Sequence, residues 1–169
     1  LCRAWWAGEP VTAEVGGWSY DAIKVGPPPV QDPLEIWLGG NGPRALQLTG
    51  THADGWLASR ATPAEANSHV ATIMAAATEA GRSIDDDHFG ISIPYSRVPL
   101  DDKQIAAMMR KTDADRADIL PYGADELAAL LQRHIDAGMS KFVLRPMATP
   151  DGWETELDWL AEHAMPFQN

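Results

Sequence analysis

Residues 34–58 read LEIWLGGNGPRALQLTGTHADGWLA, and the rest of the chain is organised around this stretch. The apolar run Leu34–Leu38 leads into the glycine-rich turn Gly39–Gly42 and then into Pro43. Proline is favoured at the first position of a helix, where a backbone N–H would lack an intrahelical partner anyway. The stretch therefore predicts a strand, a tight loop and a helix N-terminus, with a second strand at 54–58. Bare N–H groups and the positive end of the helix dipole suit such a loop to an anion, usually a phosphate.

The same order of strand and helix is predicted four times in residues 34–169. The two further strands are Phe89–Val98 and Lys141–Met147, and apolar residues at helical spacing occupy the segments between strands. The strands are short and apolar, so we expect both of their faces to be covered, as in a parallel α/β sheet between helices. Eight such units close a (β/α)8 barrel of about 250 residues, and four units predict half of one. A doubly wound open sheet is the alternative.

Local signals predict where two of the helices begin. Thr62 followed by Pro63 and Glu65 is a capping-box pattern, which is typical of a helix N-terminus. The last helix is expected to begin at Thr149–Pro150. We expect its apolar face to carry Trp153, Leu157, Leu160 and Ala161.

Residues 1–33 have a different composition, rich in glycine and proline. Leu1–Trp6 is expected to be the end of a helix closed by Gly8. The runs Val11–Val15 and Trp18–Val25 predict a hairpin, and Pro27–Pro29 predicts an extended connector. We expect residues 1–169 to form a single incomplete barrel domain, the C-terminal part of something longer, in which 1–33 supply the helix end, hairpin and connector and 34–169 supply four strand–helix units.

The composition argues against several classes of partner. The chain has 24 acidic and 13 basic residues and a formal net charge of −11, which opposes binding to nucleic acid and to anionic membranes. No apolar run approaches the roughly 20 residues that span a bilayer. With a single cysteine, Cys2, and no visible signal peptide, a cytoplasmic location is predicted.

Candidate binding residues follow from one rule of parallel α/β folds, that sites lie at the C-terminal ends of strands. Three arginines follow three successive strands, and convergent guanidinium groups bind carboxylates or phosphates. Two plainer interpretations stay open, because strand-end arginines also pair with acids to hold loops, and a glycine-rich turn can be only a turn. The residues that the rule selects are Gly39, Gly40, Asn41 and Gly42, then Ser59, Arg60, Arg97 and Arg145.

Neither a metal site nor a catalytic nucleophile is predicted. The five histidines are scattered, none has a second ligand four residues away on a shared helix face, and His134 is expected at the edge of the core. Asp85–Asp87 is interpreted as a solvated loop. The glycine loop lacks the lysine of a Walker motif and the third spaced glycine of the dinucleotide fingerprint, and the chain has no Gly-x-Ser-x-Gly elbow. The catalytic residues are therefore unassigned.

Taken in order, these motifs resemble the luciferase-like monooxygenase family. The resemblance is carried by Gly8–Thr12, Pro28–Pro33, Ile36–Leu46 and Ala53–Leu57, and the stretches His88–Tyr95 and Ser140–Leu144 are similar to its deazaflavin-dependent (coenzyme F-420) branch. The family fold is a (β/α)8 TIM barrel roughly twice as long, so the resemblance implies the C-terminal half of the barrel, about strands 5–8. It also implies that Gly39, Gly40, Asn41 and Gly42 bind the cofactor phosphate and, less directly, that Ser59 and Arg60 contact substrate.

The function implied by the resemblance is hydride transfer between a reduced deazaflavin coenzyme and a small organic substrate. The first four strands of the family supply much of the ring-binding site, so the fragment alone is expected to be inactive. The full-length protein is expected to be a homodimer. Two alternatives remain open: an FMN-dependent luciferase-like monooxygenase, and a non-catalytic truncated barrel that only binds a ligand or partner. Deazaflavin lacks the ring nitrogen through which flavins activate oxygen, but nothing in these residues separates the two cofactors on physical grounds.

Overall fold

The structure is a computed structural model that describes residues 1–110 and 112–168. The chain forms two compact units, Leu1–Ile36 and Trp37–Asn169. The first unit contains helix α1 (Cys2–Trp6) and the antiparallel strands β1 (Val11–Val15) and β2 (Trp18–Ile23). The predicted helix end and hairpin are therefore confirmed, although β2 ends two residues before Val25.

Within the first unit, one tryptophan joins the helix to the hairpin. The Trp5 ring lies edge-on to Tyr20 with 5.2 Å between ring centroids, and its indole N–H donates to the carbonyl of Ile23 at 3.0 Å. Buried indole groups usually need such a partner for the N–H. These two contacts join α1 to β2.

The second unit is a parallel four-stranded sheet with the strand order β3-β4-β5-β6. Its helices alternate with the strands along the chain, as the sequence predicts. The strands are β3 (Trp37–Leu38), β4 (Gly55–Ser59), β5 (Phe89–Tyr95) and β6 (Lys141–Pro146); the helices are α2 (Pro43–His52), α3 (Pro63–Glu79), α4 (Asp102–Met109), α5 (Arg116–Ile119), α6 (Gly123–Asp136) and α7 (Gly152–His163), with a short 3-10 helix at Met165–Phe167.

The first strand of this sheet is much shorter than predicted. Only Trp37 and Leu38 pair with β4, opposite Gly55 and Trp56, and residues 34–36 lie outside the sheet. β4 itself begins at Gly55, the residue opposite Trp37, so the described ladder between the two strands starts at that pair. An apolar run can mark where a strand lies, but its length is set by the partner strand.

The two faces of the sheet have different environments. The face toward the helices forms the core and includes Trp56, Phe89, Ile91 and Tyr95, all at most 2% exposed. On the opposite face Leu57 is 37% and Val143 is 45% exposed. The expectation that the strands are covered on both faces is wrong for β6, whose residues alternate between exposed and half-buried. Exposed and covered residues alternate along β4 and β6, as in a sheet with one face toward solvent, whereas β5 is buried on both faces except at the half-buried Ser92.

The helix α3 begins as predicted, because Glu65 N–H donates to Thr62 Oγ1 and Thr62 N–H donates to the Glu65 carboxylate. The helix α7 differs from the prediction: Trp153 and Leu157 are 62% and 59% exposed, whereas Glu156 is fully buried. Glu156 turns inward because Tyr95 and Arg97 bind its carboxylate. No helix of the described residues combines the length and the apolar character needed to cross a membrane.

Candidate functional site: the glycine loop and the ends of the parallel strands

The loop Gly39–Gly42 joins β3 to α2, as predicted. Gly42 is the N-cap of α2 with an extended backbone, and Pro43 is the first helical residue. Gly40 has φ of +99°, and a Cβ built there would lie 3.1 Å from Cβ of Ala45. A side chain at position 40 would therefore meet both an unfavourable backbone conformation and a close neighbour. The loop shape depends on the absence of a side chain at this position.

Two side-chain hydrogen bonds connect this loop to β4. The indole N–H of the fully buried Trp56 donates to the Gly40 carbonyl at 3.1 Å, and Asn41 Nδ2 donates to the Ser59 carbonyl at 3.0 Å. In these bonds the loop uses the carbonyl of Gly40 and the side chain of Asn41, and none of its backbone N–H groups. The loop is thus held in place while its N–H groups stay available.

The available donors are consecutive. The N–H groups of Gly40, Asn41 and Gly42 have no acceptor among residues 1–110 and 112–168. They precede the N-terminus of α2, whose dipole adds positive potential at the same place. Asn41 Oδ1 is shielded from solvent and likewise has no partner in the described part of the chain. Loop donors and this acceptor together fit a ligand group that combines an oxyanion with a nearby O–H or N–H.

Ser59, the last residue of β4, and Arg60, which follows it, make different contacts. Ser59 is exposed and offers its carbonyl to Asn41. Arg60 has φ of +56°, and its Nη2 donates to the carbonyl of Met108 at the C-terminal end of α4. In this structure Arg60 therefore connects β4 to α4 through a main-chain acceptor, and its predicted role in substrate binding stays a prediction.

Arg97 belongs to an ionic cluster between β5 and α7, in which Glu156 is buried and Asp151 is exposed. Its Nε donates to Glu156 Oε2 at 2.8 Å and its Nη2 donates to Asp151 Oδ2 at 3.0 Å. The hydrogen bond with Glu156 is the main reason why the pKa of Arg97 is raised. The hydroxyl of Tyr95 donates to the other Glu156 oxygen at 2.5 Å, and burial followed by this bond raises the pKa of Tyr95. Arg97 thus has two acidic partners within the protein. This corresponds to the plainer interpretation, in which a strand-end arginine pairs with acids and holds a loop.

Arg145 has a different environment from Arg97. It is exposed in β6, and its Nε donates to Ser92 Oγ in β5 at 2.8 Å. Ser92, which the sequence did not single out, lies beside Ser59 in the register of β4 and β5. The sequence pattern that could have identified Ser92 is its alternation with Ile91 and Ile93, which places it on the face away from the core. Arg60, Arg97 and Arg145 share no partner among the described residues.

A group that could hold a metal ion lies just before the N-terminal end of β5. Ligand atoms of Asp85, Asp87 and His88 fall within 4.8 Å of one another. The ammonium of Lys141 already contacts Asp87 Oδ2 at 3.2 Å, and that hydrogen bond is the largest cause of the lowered pKa of Asp87. A lysine held on the carboxylate competes with a cation. The prediction that the chain binds no metal is not tested by this arrangement.

Comparison with known proteins adds a family to this geometry. A family model described as luciferase-like monooxygenase matches residues 1–147. No curated protein matches the chain.

Several solved structures share the fold. An F420-dependent secondary alcohol dehydrogenase in complex with an F420-acetone adduct has a TM-score of 0.77 at 18% identity, covering 99% of this chain and 59% of that one. The coenzyme F420 dependent tetrahydromethanopterin reductase from Methanopyrus kandleri has a TM-score of 0.70 at 18% identity, covering 99% and 60%. The oxygenating constituent of 3,6-diketocamphane monooxygenase from Pseudomonas putida, in complex with FMN, has a TM-score of 0.64 at 17% identity, covering 99% and 61%.

These matches confirm the predicted fold class, an α/β chain with a parallel sheet that corresponds to part of a TIM barrel. The chain spans between 59% and 61% of the length of the three structures. At identities of 17% and 18% the likeness concerns the fold.

Proposed function

The chain belongs to the luciferase-like monooxygenase family, and from this premise we propose that the whole protein is a deazaflavin-dependent oxidoreductase. It would transfer a hydride between the reduced F420 coenzyme and a small organic substrate. Family membership alone covers both flavin and deazaflavin enzymes. The F420 branch is supported by the motifs in the sequence and by two F420-dependent enzymes with TM-scores of 0.77 and 0.70 to this chain.

The observation that carries the proposal is the loop between β3 and α2. The N–H groups of Gly40, Asn41 and Gly42, which have no acceptor among residues 1–110 and 112–168, precede the positive end of a ten-residue helix. A phosphate oxygen accepts such donors well, because charge-assisted hydrogen bonds are stronger than neutral ones. We assign the coenzyme phosphate to this loop.

The chain's own residues would bind and orient the coenzyme. When bound, the deazaflavin supplies the hydride chemistry, and the protein supplies position and electrostatics. Trp56 and the Ser59 carbonyl hold the loop in its donor-presenting shape through the bonds to Gly40 and Asn41. Asn41 Oδ1, shielded and without a partner in the described residues, would accept a hydrogen bond from a hydroxyl of the ligand next to the phosphate.

The test is a pair of titrations of the whole protein, one with F420 and one with FMN, each followed through the change in cofactor fluorescence. We expect saturable F420 binding and much weaker binding of FMN. Tight FMN binding without F420 binding would contradict the proposal.

An FMN-dependent monooxygenase is the second candidate, because one structure of the same fold was determined with FMN and has a TM-score of 0.64 to this chain. A flavin enzyme of this kind would consume oxygen, whereas hydride transfer from a deazaflavin would not. Measuring oxygen uptake with the reduced cofactor bound therefore separates the two candidates.

A further inference from the structure

We propose that Arg145 and Ser92 form a second oxyanion subsite, separate from the glycine loop, which binds a carboxylate or phosphate group of the substrate. The proposal rests on the proposed function and specifies its substrate class as an organic anion. It starts from where the two residues lie in the sheet. Arg145 pairs with Pro94, and Ser92 pairs with both Ser59 and Val143. Both residues alternate with the core-facing residues of their strands, so their side chains lie on the face away from the core, with Arg145 near the end of β6 and Ser92 at the middle of β5.

The hydrogen bonding of Arg145 leaves most of its donors available. Only Nε is engaged, with Ser92 Oγ at 2.8 Å, and its two Nη groups have no acceptor in the part of the chain that the structure describes. A planar guanidinium with two such groups can bind an oxyanion in a bidentate manner. Ser92 Oγ accepts the bond from Arg145, so its own O–H can donate to the same anion.

The charge environment strengthens this inference. The chain carries 24 acidic residues against 13 basic ones, and four arginines (Arg82, Arg97, Arg116 and Arg133) form ion pairs with carboxylates. Arg145 has no carboxylate within ion-pair distance among the described residues, although it lies in a strand beside other strand ends. A strand-end cation that is oriented by a serine, and that no carboxylate of the described residues neutralises, is suited to an anion from outside.

The position in the sheet separates this anion from the coenzyme phosphate. β3, which leads to the glycine loop, and β6, which carries Arg145, are three strand spacings apart in the order β3-β4-β5-β6. At about 4.8 Å per spacing this is roughly 14 Å along the sheet. One phosphate group therefore cannot contact both sites, and the site at Arg145 is assigned to the other reactant.

The experiment is a site-resolved titration of the chain with inorganic phosphate and with acetate, followed by two-dimensional ¹H–¹⁵N NMR. We expect saturable shifts at the amides of Ser92 and Arg145 with either anion. Arg145→Gln should weaken this response about 10-fold or more, since a hydrogen bond to a charged group is lost. Arg110→Gln, which removes an exposed arginine from the end of α4, is the charge-matched control and should leave the response unchanged.

Several outcomes would overturn the subsite. They are an absent response at Ser92 and Arg145, a response unchanged in Arg145→Gln, and equal weakening by Arg110→Gln. Arg145→Lys should bind more weakly than the wild type, because lysine keeps the charge without the bidentate geometry; equal affinity would refute the bidentate assignment.

Two further observations separate this proposal from the proposed function. Shifts at the amides of Gly40, Asn41 and Gly42 with phosphate report on the loop alone, so a silent loop would count against the coenzyme site and not against Arg145. Repeating the acetate titration of the whole protein with F420 bound tests the source of the anion. A retained response at Arg145 supports a substrate group, and a lost response would overturn that assignment in favour of an oxyanion of the coenzyme.

Discussion

Replacing Gly40 by alanine is the most direct test of the glycine loop. The new Cβ would be held at φ of +99° and would lie 3.1 Å from Cβ of Ala45. A non-glycine residue with positive φ costs about 1–2 kcal/mol, and a tight contact of this kind adds up to about 1 kcal/mol when the neighbour can shift. We therefore expect Gly40→Ala to lower the free energy of unfolding by about 1–3 kcal/mol.

Gly42→Ser is the matched control in the same loop. Gly42 has φ of −77° and ψ of 153°, and a Cβ there has no heavy atom within 4 Å. Serine is also preferred over glycine at an N-cap, so the control should leave stability unchanged or raise it by a few tenths of a kcal/mol.

Two assays follow the effect of Gly40→Ala. Urea unfolding monitored by circular dichroism measures the free energy of unfolding. The expected loss of stability corresponds to a melting temperature that is lower by roughly 3–10 °C for a chain of this size. Inorganic phosphate binding at the loop, measured by NMR, should weaken about 10-fold if the N–H groups move out of alignment. Equal stability and equal phosphate affinity in Gly40→Ala and Gly42→Ser would refute the account of the loop.

Three further changes test the packing and the ionisable groups. Gly50→Ala in α2 would place a Cβ 2.4 Å from the Ile73 carbonyl of α3 and should destabilise the protein by about 3 kcal/mol or more in urea unfolding, and a cost below about 1 kcal/mol would contradict this contact. Burial lowers the pKa of His134 to about 4, so the folded state binds fewer protons than the unfolded state between pH 6.5 and 4, and stability should fall by about 3 kcal/mol as the pH falls through this window. His134→Leu should remove that pH dependence, and an unchanged pH profile in this variant would refute it. Glu156→Gln should lower the melting temperature at pH 7, because Arg97 loses its buried carboxylate partner, and no change in a thermal scan would contradict the role of this cluster.

Much of the fold could be predicted from the sequence because local signals and packing agree. The proline at position 43, the capping box at Thr62 and Glu65 and the glycines at 16 and 17 each specify a backbone geometry that the structure contains. These signals act within a few residues and do not depend on distant partners. The element order was therefore predictable.

The extent of each element and the burial of its side chains were less predictable. β3 spans two residues in the described part of the chain, where its partner strand β4 begins at Gly55. α7 buries Glu156 and exposes Trp153, because a tyrosine of β5 and an arginine two residues after that strand supply hydrogen bonds that satisfy the carboxylate. Both outcomes depend on residues far away in the sequence, and hydrophobic periodicity does not contain that information.

In the candidate site as well, the sequence predicted which residues follow the strands but not which partners they contact. The rule that functional residues follow strands selected Ser59, Arg60, Arg97 and Arg145 together, yet their environments separate them into two pairs. Arg97 continues the alternation of Ile93 and Tyr95 and binds the carboxylate of Glu156. Arg60 follows β4 with φ of +56°, which ends the alternation, and its side chain binds a carbonyl of α4.

Ser59 and Arg145 have the opposite alternation, with Leu57 and Val143, and lie on the uncovered face. The period of two along a strand is a property of the sequence, so counting residues places Ser59, Arg97 and Arg145, whereas the position of Arg60 depends on its positive φ. The strand-end rule identifies where along the sheet a ligand is bound, and alternation identifies which face can reach it. A substitution at Arg97 is therefore expected to act on stability, whereas a substitution at Arg145 is expected to act on ligand binding.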